Sequence, residues 1–165
     1  MAIDAFLSLP GVQGEVTVKG FEGWIEVDSF SWGASNPTSI GSGTSGAGAG
    51  KVSFNPFHVT KKIDKASPKL FLACCSGSHY ATASMYMRKA GGSPLTYWKL
   101  DFKTVFCKEL ELEVGGDGGD VPIENITFVY GAVQVTYTPQ KADGSSDAAI
   151  LSAWNQIKNS ADFSA

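Results

Sequence analysis

Two adjacent cysteines and a nearby histidine are the side chains in this chain that could form a reactive or metal-binding group. Cys74, Cys75 and His79 would suggest a thiol nucleophile with a base, or three zinc ligands. A nucleophile needs a base in reach and a third group that orients it, and a zinc site needs three or four ligands at fixed geometry. Neighbouring residues of a helix point about 100° apart, so the two thiols do not readily converge, and His58 is the other histidine. We therefore expect neither catalysis nor a metal here, and we expect these thiols and Cys107 to be buried and reduced.

Two glycine-rich stretches match ligand-binding motifs by letter. Residues 41–46 spell GSGTSG, as in the dinucleotide fingerprint GxGxxG, but that motif needs a helix that begins inside it so that backbone amides bind pyrophosphate. A phosphate-binding Walker loop is also ruled out, because Val52 stands where a Ser or Thr is required. Residues 115–120 spell GGDGGD, a single unit of a calcium-binding repeat that works only when units stack. We interpret residues 38–50 as a long flexible loop and residues 115–120 as a hairpin loop.

Composition limits the classes of protein that the chain can represent. With 165 residues, 43% hydrophobic and 18% charged, it predicts one globular domain over 1–165. A net charge of −3 without a basic cluster gives nucleic-acid binding no electrostatic support, and Lys61, Lys62 and Lys65 are interpreted as a solvated turn. No apolar run approaches the roughly 18 residues that cross a membrane, and the first residues lack the basic region of a cleavable signal. These features predict a cytoplasmic protein that does not insert into membranes.

Alternating hydrophobicity predicts a chain made mainly of strands. They fall at residues 2–9, 24–32, 51–59, 82–88, 95–108, 109–114 and 123–138. Pro56 forces an edge or a bulge because it cannot donate to a ladder, and in 109–114 the side chains of Leu110, Leu112 and Val114 are expected to face inward. Residues 123–138 are apolar on both faces, so we expect the core to cover one face and a helix or another subunit to cover the other.

Capping residues predict one short helix over about residues 67–76. Ser67 suits the N-cap and Pro68 the first helical position, while Gly77 suits the left-handed residue that ends a helix. In the C-terminal tail, residues 140–165, the spacing within residues 148–158 also suggests a helix, with Asp147 as its cap. Long strands, glycine loops and one short helix together predict a mainly β chain, an antiparallel β-barrel or a tight β-sandwich.

Several short motifs, taken together, resemble one known family. They are residues 31–33 (SWG), 50–52 (GKV), 60–68 (TKKIDKASP), 87–92 (MRKAGG), 124–127 (ENIT), 133–135 (VQV) and 137–144 (YTPQKADG). Their order and spacing, from about Ala2 to Gly144, are similar to those of the Hcp family, the tube-forming and secreted component of bacterial type VI secretion systems.

This resemblance implies a structural protein and not an enzyme, with no cofactor. It implies homo-hexameric rings that stack into the inner tube, effector proteins in the lumen, a VgrG-type spike protein at the tip and a contractile sheath outside. It also implies export through the apparatus without a signal peptide. The residues expected to take part in ring stacking are Gly41, Gly43, Gly46, Gly48, Gly50 and Lys51, and Ser31 is the candidate lumen residue because it alternates away from Trp32 in a strand.

A second class of function also fits the residues alone. A small β-barrel enzyme, or a ligand-binding or metal-binding protein, would use a pocket that includes His58, His79 and the cysteines. Turnover or a stoichiometric metal would support this alternative, and a ring in a native mass measurement would count against it.

Overall fold

Strands make up most of the chain in a computed structural model, which describes residues 3–40, 48, 50–91, 94–115 and 121–164. One α-helix interrupts the strands within these residues. The elements, in chain order, are β1 (Ile3–Ser8), β2 (Ile25–Glu26), β3 (Ser29–Ser31), β4 (Ala34–Ser35), β5 (Ser53–Phe54), β6 (Phe57–Lys62), α1 (Ser67–Ser76), β7 (His79–Lys89), β8 (Thr96–Glu113), β9 (Ile123–Tyr137) and β10 (Ile150–Asn155).

The main sheet is antiparallel and curls on itself. Its strand order is β2-β1-β7-β8-β9-β6-β3, and β10 pairs with β9 beside this path. Because β2 and β3 are consecutive in the chain, the two ends of the order meet. There the Val27 amide donates to the Ala5 carbonyl at 3.0 Å, and the Asp28 amide donates to the Thr60 carbonyl at 2.9 Å. The predicted mainly β, antiparallel and barrel-like architecture is therefore confirmed.

The helix α1 packs against the barrel through Leu70 and Ala73, which are buried. Its bounds confirm the predicted helix, and Gly77 ends it in the left-handed conformation with a φ of 67°. The predictions of Ser67 as N-cap and Pro68 as the first helical residue are wrong by one position, since Ala66 is the N-cap, Ser67 is the first helical residue and Pro68 is the second. The Ser67 hydroxyl instead accepts from the Asp64 amide and donates to Glu124, which ties the helix to β9. No helix in the described part of the chain has the length and apolar character needed to span a membrane.

β8 is one continuous strand, although the sequence predicted two strands here, at residues 95–108 and 109–114. Thr104 has a φ of 54°, and a bulge between Cys107 and Glu109 shifts the pairing with β9. The expectation that Leu112 and Val114 face the core is wrong, because both are exposed. They lie at the far end of β8, beyond the buried layers of the barrel.

Two predicted strands are each divided in the structure. Residues 24–32 form β2 and β3, which pair with different strands, because the chain crosses from one end of the sheet to the other between them. Residues 51–59 are interrupted at Asn55 and Pro56, as the missing proline donor predicts. The short strand β5 before the break pairs with β4 in a separate two-stranded sheet.

The C-terminal segment is a strand and not the expected helix. β10 pairs along its length with residues 132–137 of β9, and backbone pairing with an existing strand outweighs the weak helical spacing of this stretch. Beyond it, the Gln156 amide donates to the Gly131 carbonyl at 2.8 Å. β10 thus extends the sheet beside β9, and Ile157 lies against Gly131, where an added Cβ would stand 2.8 Å from Ile157 Cδ1. The expected cover of the second face of β9 by a helix or another subunit stays a prediction.

Candidate functional site

A two-stranded arm formed by β4 and β5 carries the residues predicted to take part in ring stacking. Beyond these strands, the amide of Ser39 donates to the Gly48 carbonyl at 3.2 Å and the amide of Gly48 donates to the Ser39 carbonyl at 3.3 Å. The hairpin therefore continues past β4 and β5. Gly50 donates to the Pro37 carbonyl at 3.1 Å. The Lys51 side chain is exposed and lines a cleft of about 450 Å³ beside Trp154. Gly41, Gly43 and Gly46 lie outside the described residues, as do residues 116–120 of the predicted hairpin loop.

Ser31 and Trp32 point in opposite directions, as strand alternation predicts. Ser31 is exposed, whereas Trp32 packs against the core and donates through Nε1 to the Tyr130 hydroxyl at 2.6 Å. That hydroxyl donates in turn to the Asn55 carbonyl at 3.0 Å. Burial raises the pKa of Tyr130, although the hydrogen bond from Trp32 acts to lower it, so the phenol stays protonated and keeps this donor chain intact.

Ser31 belongs to a continuous outward surface of β3, β6, β9 and β8, called here the open face. Cross-strand pairing sets its members in rows, since directly paired residues lie on the same side of a sheet. The open face comprises Ser29, Ser31, His58, Thr60, Asn125, Thr127, Val129, Phe106, Glu109 and Glu111. The alternate residues of the same strands, among them Val59 and Ile126, are buried in the core. The open face is therefore the side of the sheet turned away from the barrel interior.

Hydrogen bonds between side chains order the open face. His58 Nδ1 lies 2.9 Å from the Thr127 hydroxyl, and the Thr60 hydroxyl donates to Asn125 Oδ1 at 2.9 Å. The amide of Asn125 then donates to Glu113 at 2.9 Å. Polar groups along three neighbouring strands are held in place by one another.

Among the thiols and histidines, Cys74 and Cys107 lie close enough together to interact. Cys107 is buried and Cys74 half-buried, but Cys75 is exposed, contrary to the expectation that all three are buried. Burial raises the pKa of the Cys107 thiol to about 12, with nearby Cys74 adding to the shift, so Cys107 is a poor nucleophile. The His79 ring lies beside the Phe106 ring, with centroids 5.4 Å apart and planes tilted by 38°. Within the described residues, no group of three metal-binding side chains is assembled.

A buried ion cluster lies where a solvated basic turn was expected. Lys61 is fully buried, and its ammonium contacts Asp64 and Glu124, each at 2.8 Å. It also lies 3.1 Å from the Lys62 carbonyl and 3.3 Å from the Ser67 hydroxyl. The expectation is therefore wrong for Lys61, although Lys62 and Lys65 are exposed.

Strand parity could have located this cluster from the sequence. Phe57 and Val59 face the core, and a period of two places Lys61 on the same side. An inward lysine needs partners of opposite charge, and Asp64 follows three residues later. Glu124 is distant in sequence and comes into reach only through the pairing of Lys61 with Glu124 between β6 and β9.

Comparisons with known proteins agree with this geometry over nearly the whole chain. The model of the family described as "Type VI secretion system effector, Hcp" matches residues 6–137. Protein hcp1 of Pseudomonas aeruginosa is 40% identical over 163 residues, which cover 96% of this chain and 98% of that protein. A solved type six secretion system protein has a TM-score of 0.91 at 32% identity and covers 96% of this chain and 99% of its own. The crystal structure of Hcp1 from Salmonella typhimurium has a TM-score of 0.80 at 28% identity, over 98% of this chain and 99% of its own. The chain belongs to the Hcp family of type VI secretion system proteins.

Proposed function

We propose that this protein is the structural subunit of a type VI secretion inner tube, with six copies in a ring and rings stacked end to end. The observation that carries the proposal is the likeness of the whole fold to a type six secretion system protein, with a TM-score of 0.91 over 96% of the chain. A closed ring needs heterologous contacts that return to their start. Exposed apolar side chains on α1 and β10, such as Leu72 and Leu151, offer surface for such contacts.

Each partner has its own place in the proposed tube. Effectors occupy the lumen, a VgrG-type spike protein closes the tip, and a contractile sheath surrounds the tube. The arm that includes Gly48, Gly50 and Lys51 contributes to stacking between rings, together with Gly41, Gly43 and Gly46. The protein is held in the cytoplasm until firing and then leaves through the apparatus without a signal peptide.

The oligomeric state tests the ring directly. Six copies of the 17.4 kDa chain give about 104 kDa, and native mass measurement should find this species at micromolar concentration. Negatively stained images should show rings with a central hole. A monomer at tens of micromolar concentration would contradict the proposal.

We propose no catalytic role. The family is one of structural secretion proteins, and the high pKa of Cys107 and the separation of the other candidate groups give no support for a nucleophile. Elemental analysis of the native protein should find no zinc. One tightly bound equivalent, or turnover of a substrate, would restore the enzyme or metal-binding alternative.

Ser31 is the residue proposed to face the lumen. A Ser31→Gln substitution adds bulk at an exposed position without altering the buried face of β3, so the hexamer should persist while retention of a co-expressed cognate effector falls. A pull-down paired with native mass measurement gives both readouts. Unchanged effector recovery by intact rings would remove Ser31 from the lumen without removing the tube assignment.

A further inference from the structure

The side chains of the open face are ordered by hydrogen bonds within the chain itself. Its rows combine backbone ladders with the side-chain bonds that join His58 to Thr127 and Thr60 to Asn125. A partner that binds there does not have to order loose side chains first, and this lowers the entropic cost of association. Because the barrel strands fix the position of each group, the open face favours recognition of particular side chains over nonspecific contact.

An exposed aromatic ring interrupts the polar rows. Phe106 is 37% exposed and lies between His79 on β7 and Val129 on β9, its paired residues on the two neighbouring strands. Exposed aromatic residues that are surrounded by polar groups commonly provide the energetic anchor of protein interfaces. Phe106 and Val129 thus form an apolar spot beside the row that contains Ser31.

Negative charge flanks this spot. Glu109 and Glu111 alternate along β8, are exposed, and form no ion pair with any other described residue. Glu113 beyond them is engaged by Asn125. Two cations lie near these carboxylates: Lys108 in the adjacent bulge, and Lys62, which pairs with Ile123 at the start of β9. Neither forms an ion pair with Glu109 or Glu111.

We propose that the open face binds protein cargo through Phe106, with Glu109 and Glu111 selecting segments in which an apolar side chain is flanked by Lys or Arg. This inference rests on the proposed tube function, because a cargo-facing lumen exists only in a ring. Complementary charge favours the basic segment, and like charge disfavours an acidic one. The main competing occupant is a second copy of this chain, in which case the face would be a subunit interface.

The test uses wild-type hexamer and three synthetic fluorescent peptides of equal length, with centres Lys-Leu-Lys, Lys-Ser-Lys and Glu-Leu-Glu. Fluorescence anisotropy should show the first peptide binding at least about tenfold more tightly than either of the others at low salt, since it alone satisfies both the charge and the anchor. High salt should reduce its advantage over the acidic peptide, because exposed charges are screened. Native mass measurement is performed on every sample.

Matched variants separate the two elements of recognition. Glu109→Gln combined with Glu111→Gln should bring the basic and acidic peptides to within about threefold of each other, and Phe106→Thr should remove the preference for Leu over Ser. The control combines Glu15→Gln with Glu26→Gln, which removes the same charge from exposed positions outside the open face and should leave binding unchanged.

The outcomes distinguish this inference from the tube function. Intact wild-type rings that bind the three peptides equally, or variants that bind as wild type does, would overturn the inference alone. Loss of the hexamer in the Phe106 or glutamate variants would also overturn it and identify the face as a subunit interface. Absence of a ring in the wild type would overturn the proposed function first.

Discussion

Lys61 connects three segments of the barrel through a single ammonium group. It projects inward from β6, contacts Glu124 of β9, and reaches Asp64 in the turn that leads to α1. Asp64 also accepts the Ala66 amide at 2.9 Å, so the cluster fixes the start of the helix as well as the strands. Burying such charges is costly unless each is paired and hydrogen-bonded, and here each one is.

Replacing Lys61 with Met should destabilise the fold by about 3–5 kcal/mol, because it leaves Asp64 and Glu124 without their cation in a buried site. Lys62→Met is the matched control, since Lys62 is the exposed neighbour on the same strand, and it should change stability by no more than about 0.5 kcal/mol. Urea unfolding at equal protein concentration measures both, because assembly makes apparent stability depend on concentration. Equal effects of the two variants would show that the cluster contributes little.

A packed aromatic group covers the outside of β1 and β7. Phe21 and Trp24 lie on Phe6 and Tyr86, with ring centroids 4.9 and 5.1 Å apart. Arg88 lies over the rings of Phe6 and Phe21. The segment between β1 and β2 is thereby held against the sheet as a second layer.

Gly14 allows this segment to approach β2. A Cβ added there would stand 2.2 Å from the Trp24 carbonyl oxygen and 2.8 Å from the Ile25 Cα, and backbone atoms cannot move aside cheaply. Gly14→Ala should therefore cost at least about 1–3 kcal/mol. Gly115→Ala, whose Cβ would meet nothing within 4 Å, is the control. The midpoints of thermal unfolding of the two variants are compared at one protein concentration. Equal midpoints would mean that the segment between β1 and β2 can shift to accommodate the added methyl group.

Local signals explain which elements were predictable from the sequence. Pro68 and Gly77 locate α1, and alternation locates the long strands, because both depend on residues close in the chain. Residues 148–158 do not form the predicted helix because their state depends on pairing with β9, far away in sequence. For Lys61, strand parity indicates an inward side chain, and only its partner Glu124 depends on long-range pairing. Leu112 follows the alternation but lies beyond the buried part of β8. The position along a strand at which the barrel core ends is set by the whole fold and is not visible in the local sequence. Ser31 was correctly expected to point away from Trp32, whereas the rows of the open face required the register of four strands.

The barrel as a whole presents three kinds of surface. The open face is polar and ordered, α1 and β10 expose apolar side chains, and the arm forms a two-stranded sheet of its own from β4 and β5. Self-assembly by heterologous contacts requires distinct surfaces that do not compete. In the proposed tube, these surfaces would serve cargo binding, ring closure and stacking respectively.

The arm provides the test of stacking. A Cβ at Gly50 would lie 2.6 Å from Pro37 Cγ and 2.8 Å from the Pro37 carbonyl oxygen, so Gly50→Val must distort the hairpin base while leaving the buried core untouched. Rings should still assemble at the mass of six chains, but tubes should be fewer and shorter in electron micrographs, and secretion should fall.

Replacement of Gly46, Ala47 and Gly48 by prolines should act in the same direction, because prolines remove the amide that Gly48 donates to Ser39. Gly115→Val, at an open position, serves as the control. If the Gly50 and proline variants form tubes of normal length and are secreted as well as wild type, the arm has no part in stacking, and the contacts between rings must lie on the barrel itself.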